Sequence, residues 1–399
     1  MEQKVIYDRG EVKLGLGRMR KLMKLLGNPE NSVPVIQIAG TNGKGSTGIF
    51  LRTALSHAGY KTGHYQTPAV LDPLEIISVD GNNIPGERFE KLKKKIHRIS
   101  KTMEDVPTSF ECDTAAAYMF FAEEKCDIAV IETGLGGDND ATNVTESTVL
   151  SVITPIGYDH MEFLGDTLAQ IAMHKAGIIK HGIPVVTTAQ NGEALEVIKQ
   201  MASEMRSPLY MAGKVHMPVA YQEINAGAAL KAMEVLAGRF GRLKKHSDDE
   251  YARLFSALNI FGRFCYVSTG PDIVLDGAHN LPAALALKET INRIYPGQRI
   301  IFITGCFKDK DYLSVIKSAT ESCAKVFTVT PPGKRGLGAI KLKRELTSEG
   351  FDASGCYSIK SAVKKALVLS EKNKKQAGHY LPIIAFGSLS WLWIVKESV

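Results

Sequence analysis

Apolar positions fall along this chain in two rhythms. Four short runs rich in β-branched residues, "VPVIQIA" (33–39), "CDIAVIET" (126–133), "TVLSVIT" (148–154) and "IPVVTTA" (183–189), are apolar nearly throughout rather than at alternate positions. A strand covered on both faces reads this way, so each is expected inside a parallel sheet. Longer stretches between them have helical spacing. Phe89, Leu92, Ile96 and Ile99 recur every three or four residues through "KLKKKIHRISK" (91–101), which predicts an amphipathic helix with a solvated basic face. A second series of runs, "PDIVLDGA" (271–278), "RIIFITGCF" (299–307), "AKVFTVT" (324–330) and "YLPIIAFGS" (380–388), follows the polar stretch "GRLKKHSDDEY". Strands alternating with helices predict the α/β class, here as two units, 1–260 and a smaller 261–399, with the boundary near "ALNIFGRF" (257–264).

Composition narrows this picture. At 399 residues, 44% hydrophobic and 23% charged, the chain can bury two substantial cores. No apolar stretch is long enough to span a bilayer, and "MEQKVIYDRGEVK" lacks a signal peptide's apolar centre, so a cytoplasmic protein with no membrane partner is expected. The six cysteines are scattered without a CxxC pair, which predicts reduced thiols rather than a disulfide or zinc framework. A net charge of +7, with no aromatic residues interleaved among the lysines of 91–101, argues against nucleic acid and suits an acidic small-molecule substrate.

The densest chemistry lies in "IAGTNGKGSTG" (38–48), where Gly40, Gly43, Lys44, Gly45 and Ser46 form GxxGKGS. This loop joins the run 33–39 to a helix expected from near Ser46, whose face Phe50, Ala54, Leu55 and Ala58 turns inward before Gly59 ends it. Bare backbone there lets successive N–H groups, with the helix N-terminus, close around phosphate. Lys44 would reach the outer phosphates, and Ser46 or Thr47 would ligate the accompanying magnesium. The alternative is a glycine-rich strand-to-helix turn without a ligand. Two further stretches favour the nucleotide: "VIETGLGGDNDATNV" (130–144) brings Glu132 out of a buried run into a glycine turn, and 153–180 presents Asp159 and His160, then Lys175 in an apolar helix.

With these stretches in place, the chain resembles the folylpolyglutamate and dihydrofolate synthases within the Mur-type amino-acid ligases. "LLGNPENSVPVIQIAGTNGKGST" and "DHMEFLGDTLAQIAMHKAGIIKHGIPVV" are similar to the family's two signatures, and "FGRF", "LDGAHN", "KDKDY" and "AFGSL" follow in family order. The resemblance implies a Mur-ligase-like P-loop nucleotide-binding domain with a mostly parallel sheet, followed by a smaller Rossmann-like α/β domain.

It also implies a reaction: ATP phosphorylates a carboxylate, and the amine of L-glutamate attacks the acyl phosphate. In that chemistry Thr41, Asn42, Gly43, Lys44, Gly45 and Ser46 hold ATP, with Asn225 at the adenine, Arg263 near the phosphates and Asp276 at the ribose. Mg2+ is bound by Ser46, Thr67, Glu132, His160 and a carbamylated Lys175, while His279 and Ser388 meet glutamate. Lys44, His160 and Lys175 are the expected catalytic residues. Partners are then small molecules alone (folate or a related carboxylate, L-glutamate, ATP), and a monomer is expected. Departures from the family pattern include Thr67-Pro68-Ala69 for SPH, Asp138 for arginine, His174 for glutamate, "GSLS" for GSLY and a shortened segment before Asn225. Two alternatives stay open: another carboxylate acceptor, dihydropteroate included, or a nucleotide-binding relative without catalysis.

Overall fold

The computed structural model describes residues 13–399 apart from 189, 191, 309 and 310. The reading of the amino terminus as free of a signal peptide, the end of the run 183–189, and two residues of "KDKDY" therefore lie outside the described residues. The chain divides into two compact units, one of residues up to Met217 plus Gln222–Ser256, the other of Pro218–Tyr221 and Ala257–Val399.

The first unit is built on eight strands: β1 (Val35–Ala39), β2 (Thr62–Tyr65), β3 (Ile77–Val79), β4 (Asn82–Asn83), β5 (Ile128–Glu132), β6 (Thr148–Ile153), β7 (Val185–Thr187) and β8 (Leu209–Met211). Their order is β4-β3-β2-β5-β1-β6-β7-β8, parallel from β2 to β8, with β3 and β4 as an antiparallel ribbon at one edge. Every residue of β1, β5 and β6 is buried, as their unbroken apolar runs require. One sheet face is covered by a core that includes Met23, Phe89, Phe120 and Ile131, the other by Ile153, Ile171, Ile178 and Ile198 among others. The chain moves from β1 toward β2 and β5 on one side and toward β6, β7 and β8 on the other. Strand order thus reverses at β1, and the carboxyl ends of β1, β5 and β6 lie at this switch point, where α/β sheets take their ligands.

The second unit holds β9 (Cys265–Thr269), β10 (Asp272–Asp276), β11 (Ile300–Thr304), β12 (Cys323–Thr328), β13 (Ala353–Gly355) and β14 (Ile383–Phe386), in the order β13-β12-β11-β14-β10-β9. Only β9 is antiparallel. Helices on both faces bury separate cores around Phe302 and Phe386 and around Ile303 and Trp391.

All eight anticipated strands are present, most of them shorter than the run that announced them, while β12 starts one residue earlier, at Cys323. Six more among the described residues were not anticipated, because their apolar runs are short or broken: β2 reads "TGHY", yet all four residues are buried. The helix Gly86–Ser100 buries Phe89, Leu92 and Ile96 as its spacing predicts. No helix among the described residues is long and apolar enough to cross a membrane. All six cysteines are free thiols.

Candidate active site

The loop after β1 takes its shape from two glycines. Gly40 has φ +150°, and a Cβ there would fall 1.9 Å from Thr154 Oγ1; Gly43 has φ +89°, and a Cβ there would meet Asn225 Oδ1 at 2.2 Å. Only a residue without a side chain fits either place. Gly43 caps a helix that begins at Lys44, two residues before the expected start, and runs to His57, burying Phe50, Ala54 and Leu55. Its first intrahelical bond is from Thr47 N–H to Gly43 O at 2.9 Å, so the N–H groups of the first turn precede the ladder at the end where the helix dipole is positive.

Two loop donors are committed within the protein. Thr41 N–H and Asn42 N–H both donate to Pro155 O, at 2.9 and 3.2 Å, and Thr41 Oγ1 exchanges hydrogen bonds of 3.0 Å with Gly157 O and N–H. Thr41 and Asn42 thus fasten the loop to residues 155–157 after β6. Anion-facing backbone shifts to Gly43–Ser46. Asn225 lies against the Gly43 turn and donates to Gln222 Oε1 at 2.9 Å; Gln222 Nε2 in turn donates to Ser46 Oγ at 3.2 Å. Gln222 escaped the sequence reading, although its place three residues before Asn225 on one helix face was a usable signal.

Two lysines converge on one carbonyl. Lys44 Nζ donates to Gly40 O at 3.0 Å and lies 3.9 Å from Glu132 Oε1, while Lys175 Nζ donates to the same Gly40 O at 2.9 Å. Lys175 is buried, in the helix Leu168–Ala176. Burial, reinforced by the Lys44 charge and opposed by Asp159 and Asp140, pushes its ammonium down to about 7. Glu132, buried at the end of β5, is aligned with Ile38 of β1, and Ile131 with Tyr65 of β2, so Gln66 and Thr67 emerge at the same sheet edge. Thr67 Oγ1 is buried without a hydrogen-bond partner. A buried carboxylate and a buried, unsatisfied hydroxyl at the ends of neighbouring strands are hard oxygen donors of the kind magnesium takes.

His160 is not at the end of β6; residues 154–159 separate them. Its backbone is left-handed (φ 51°), and its Nε2 lies 3.8 Å from Asp159 Oδ2 on an exposed turn. The two family departures nearby meet each other: His174 Nδ1 pairs with Asp138 Oδ2 at 3.0 Å, and Asp138 N–H donates to His174 O at 2.9 Å. This clasp ties the glycine turn after β5 to the helix carrying Lys175.

In the second unit, β10 and β14 are parallel neighbours with Asp276 opposite Phe386, so Asp276, His279 and Ser388 emerge at one sheet edge. Asp276 is buried and accepts from Phe264 N–H, Ala278 N–H and, at 2.6 Å, Tyr221 O–H. Burial nonetheless raises its pKa above the ordinary carboxylate value. Tyr221 was another residue the sequence reading missed. Arg263 packs on the backbone at Gly277, His279 Nδ1 bonds Gly277 O at 2.9 Å, and Ser388 caps the helix Leu389–Lys396 through Ser390 N–H. Asp276 and Ser388 therefore hold turns together whatever else they bind.

Comparison with known proteins fits this frame. Residues 38–214 match the Mur ligase middle domain, and residues 262–375 match the Mur ligase, glutamate ligase domain. The dihydrofolate synthase/folylpolyglutamate synthase of Bacillus subtilis is 37% identical over 338 residues, covering 77% of this chain and 78% of that protein. The chain belongs to the folylpolyglutamate and dihydrofolate synthase family. Solved members share its whole fold: E. coli FolC in complex with ADP superposes with a TM-score of 0.85 at 26% identity, covering 98% of this chain and 95% of that one. An FPGS–AMPPCP–folate complex gives 0.79 at 27% identity, covering 98% and 97%. Members of this family have therefore been seen with nucleotide and with folate.

Proposed function

We propose that this chain is an ATP-dependent ligase that adds L-glutamate to a folate through an acyl-phosphate intermediate. The observation that carries the reading is the convergence of Lys44 and Lys175 on Gly40 O, beside Glu132 and at a helix N-terminus. Two amines on one carbonyl, with one carboxylate near, make a pole that attracts polyanions. Phosphoryl transfer asks for this kind of positioning and charge neutralisation rather than for a nucleophile from the protein.

In the proposed reaction the acceptor carboxylate attacks the γ-phosphorus of ATP, giving an acyl phosphate and ADP. The glutamate amine then attacks the acyl carbon, an amide forms, and inorganic phosphate leaves. Gly43, Lys44, Gly45 and Ser46 cradle the phosphates, with Lys44 on the group being transferred; Thr41 and Asn42 set the loop's shape, and Asn225 holds the Gly43 turn beside the nucleotide. Ser46, Thr67 and Glu132 would hold one magnesium ion, and His160 and Lys175 another. The metal, when bound, supplies positive charge to the phosphate oxygens. With its ammonium pushed down to about 7, Lys175 has a sizeable neutral-amine fraction near pH 7 that is competent to add CO2, and the carbamate so formed gives oxygen atoms suited to a hard cation. Arg263 and Asp276 are carried as nucleotide contacts, His279 and Ser388 as glutamate contacts. A monomer is the proposed form.

Product analysis tests the reading. Purified protein with ATP, Mg2+, L-glutamate and, separately, tetrahydrofolate or dihydropteroate is followed by mass spectrometry. A glutamyl increment on tetrahydrofolate with matching ADP release is expected. An increment on dihydropteroate alone would move the acceptor assignment, and ATP turnover without any glutamyl product would reject the ligase.

A further inference from the structure

A second constellation of metal-type ligands lies in the first unit at the other end of the phosphate-loop helix. His57 is that helix's last residue; His246 and Glu250 flank and enter the helix Asp248–Ser256. His57 Nε2 lies 2.8 Å and His246 Nδ1 2.9 Å from the same atom, Glu250 Oε1, and the two imidazole rings are 4.7 Å apart. One ligand atom from each residue lies within 4.8 Å of the other two, the one such histidine, cysteine or carboxylate cluster among the described residues. Lys44 and His57 are the two ends of a helix of 14 residues, about 20 Å apart at 1.5 Å per residue, so this cluster is not part of the nucleotide site.

We propose that His57, His246 and Glu250 form a binding site for a divalent transition-metal ion of the zinc type. Two imidazole nitrogens and one carboxylate oxygen are the donor set that tetrahedral zinc takes with water in the fourth place. Zinc–nitrogen bonds of about 2.0–2.1 Å put neighbouring donors about 3.3 Å apart, so closing the present cluster onto an ion needs only small side-chain movements. The nitrogen donors also set selectivity, because magnesium prefers oxygen and keeps its water. The rings are held from below. Tyr251 packs edge-on to His57 at 6.3 Å and against His246 at 5.6 Å, and it stacks on Phe255, which stacks on Phe50 of the phosphate-loop helix at 4.7 Å. Above, the three side chains keep between 22% and 39% of their surface, enough for an ion to enter with its water. Bound metal would replace the imidazole protons now shared with Glu250 and join the end of the phosphate-loop helix to the helix Asp248–Ser256, two segments far apart in sequence.

The test uses the full-length chain, stripped with chelator and saturated with Mg2+ and ADP so that the nucleotide site is occupied. Cobalt(II), as a spectroscopic substitute for zinc, is titrated in while visible absorption is read, and Zn2+ binding is measured by calorimetry and by the rise in thermal midpoint. One ion per chain is expected, with low-coordinate cobalt absorption. His57→Gln, His246→Gln and Glu250→Gln should each weaken binding roughly tenfold or more. They should also remove the zinc-dependent rise in midpoint while leaving magnesium-dependent ATP turnover unchanged, and that unchanged turnover shows that the variants fold. Absence of cobalt absorption and of zinc binding in the parent chain would overturn the proposal and leave the triad a proton-bridged clip. Stoichiometric zinc binding undiminished by the two histidine substitutions would overturn it equally.

Discussion

Lys44 and Lys175 share an acceptor but carry different burdens. Lys44 is partly solvated, bonding Gly40 O at 3.0 Å and lying 3.9 Å from the buried Glu132, so its removal costs the fold one loop hydrogen bond and a loose ion pair. Lys44→Ala should keep the thermal midpoint within a few degrees while lowering turnover roughly a hundredfold or more, read by coupled ADP release. Lys175 is buried, and its pKa falls from 10.5 to about 7 on folding. The unfolded chain therefore binds more protons than the folded one between pH 7 and pH 10.5, and stability attributable to this residue rises with pH across that window. Below pH 7 its burial costs the fold roughly a few kcal/mol. Lys175→Met should accordingly raise the thermal midpoint at pH 7, with the gain shrinking as pH approaches 10, and should abolish ligation. A midpoint that falls at pH 7 would contradict that reading of the buried amine. Lys175→Ala should regain part of its activity with added short carboxylic acids, which can occupy the carbamate's place.

At the scale of the element, the loop and its helix act as one device. Gly43 is left-handed and pressed by Asn225, so Gly43→Ala meets both backbone strain and collision. It should cost about 1–3 kcal/mol and raise the KM for ATP more than it lowers the midpoint would suggest. Adding Asn225→Ala relieves only the collision, so the double variant should recover part of the stability and little of the nucleotide affinity. These elements also show what the residue pattern could reveal. The buried strands β1, β5 and β6 announce themselves as unbroken apolar runs, and GxxGKGS marks where one of them must turn. Strand β2 does not, because Gly63 and His64 interrupt it. His64 is nevertheless wholly buried, and burial pushes its imidazole down to about 3. Gln222 is marked only by its helical spacing from Asn225, and Tyr221 and the Asp138–His174 clasp are silent, since each matters through a partner brought close by folding. Spacing shows which residues can act; it does not show which are already engaged, as the inward-turned Thr41 and Asn42 illustrate.

For the whole molecule, two α/β units of Mur-ligase kind share one chain and one family. Residues of the second unit enter the account through Arg263, Asp276, His279 and Ser388. Asp276 is the most constrained of these, held by three donors, and Asp276→Asn should impair both nucleotide affinity and the packing of Tyr221; Arg263→Ala, whose side chain makes a single weak bond to Gly262 O, should impair turnover with little change in midpoint. Differential scanning fluorimetry beside steady-state kinetics separates the two effects. The central claim is that ATP activates the acceptor's own carboxylate before glutamate's amine arrives. The most direct measurement labels that carboxylate of the folate with heavy oxygen, runs the reaction with unlabelled ATP, glutamate and Mg2+, and weighs the inorganic phosphate released. One heavy oxygen passes into phosphate for each amide formed if an acyl phosphate lies on the path; amide formation with unlabelled phosphate would contradict the account.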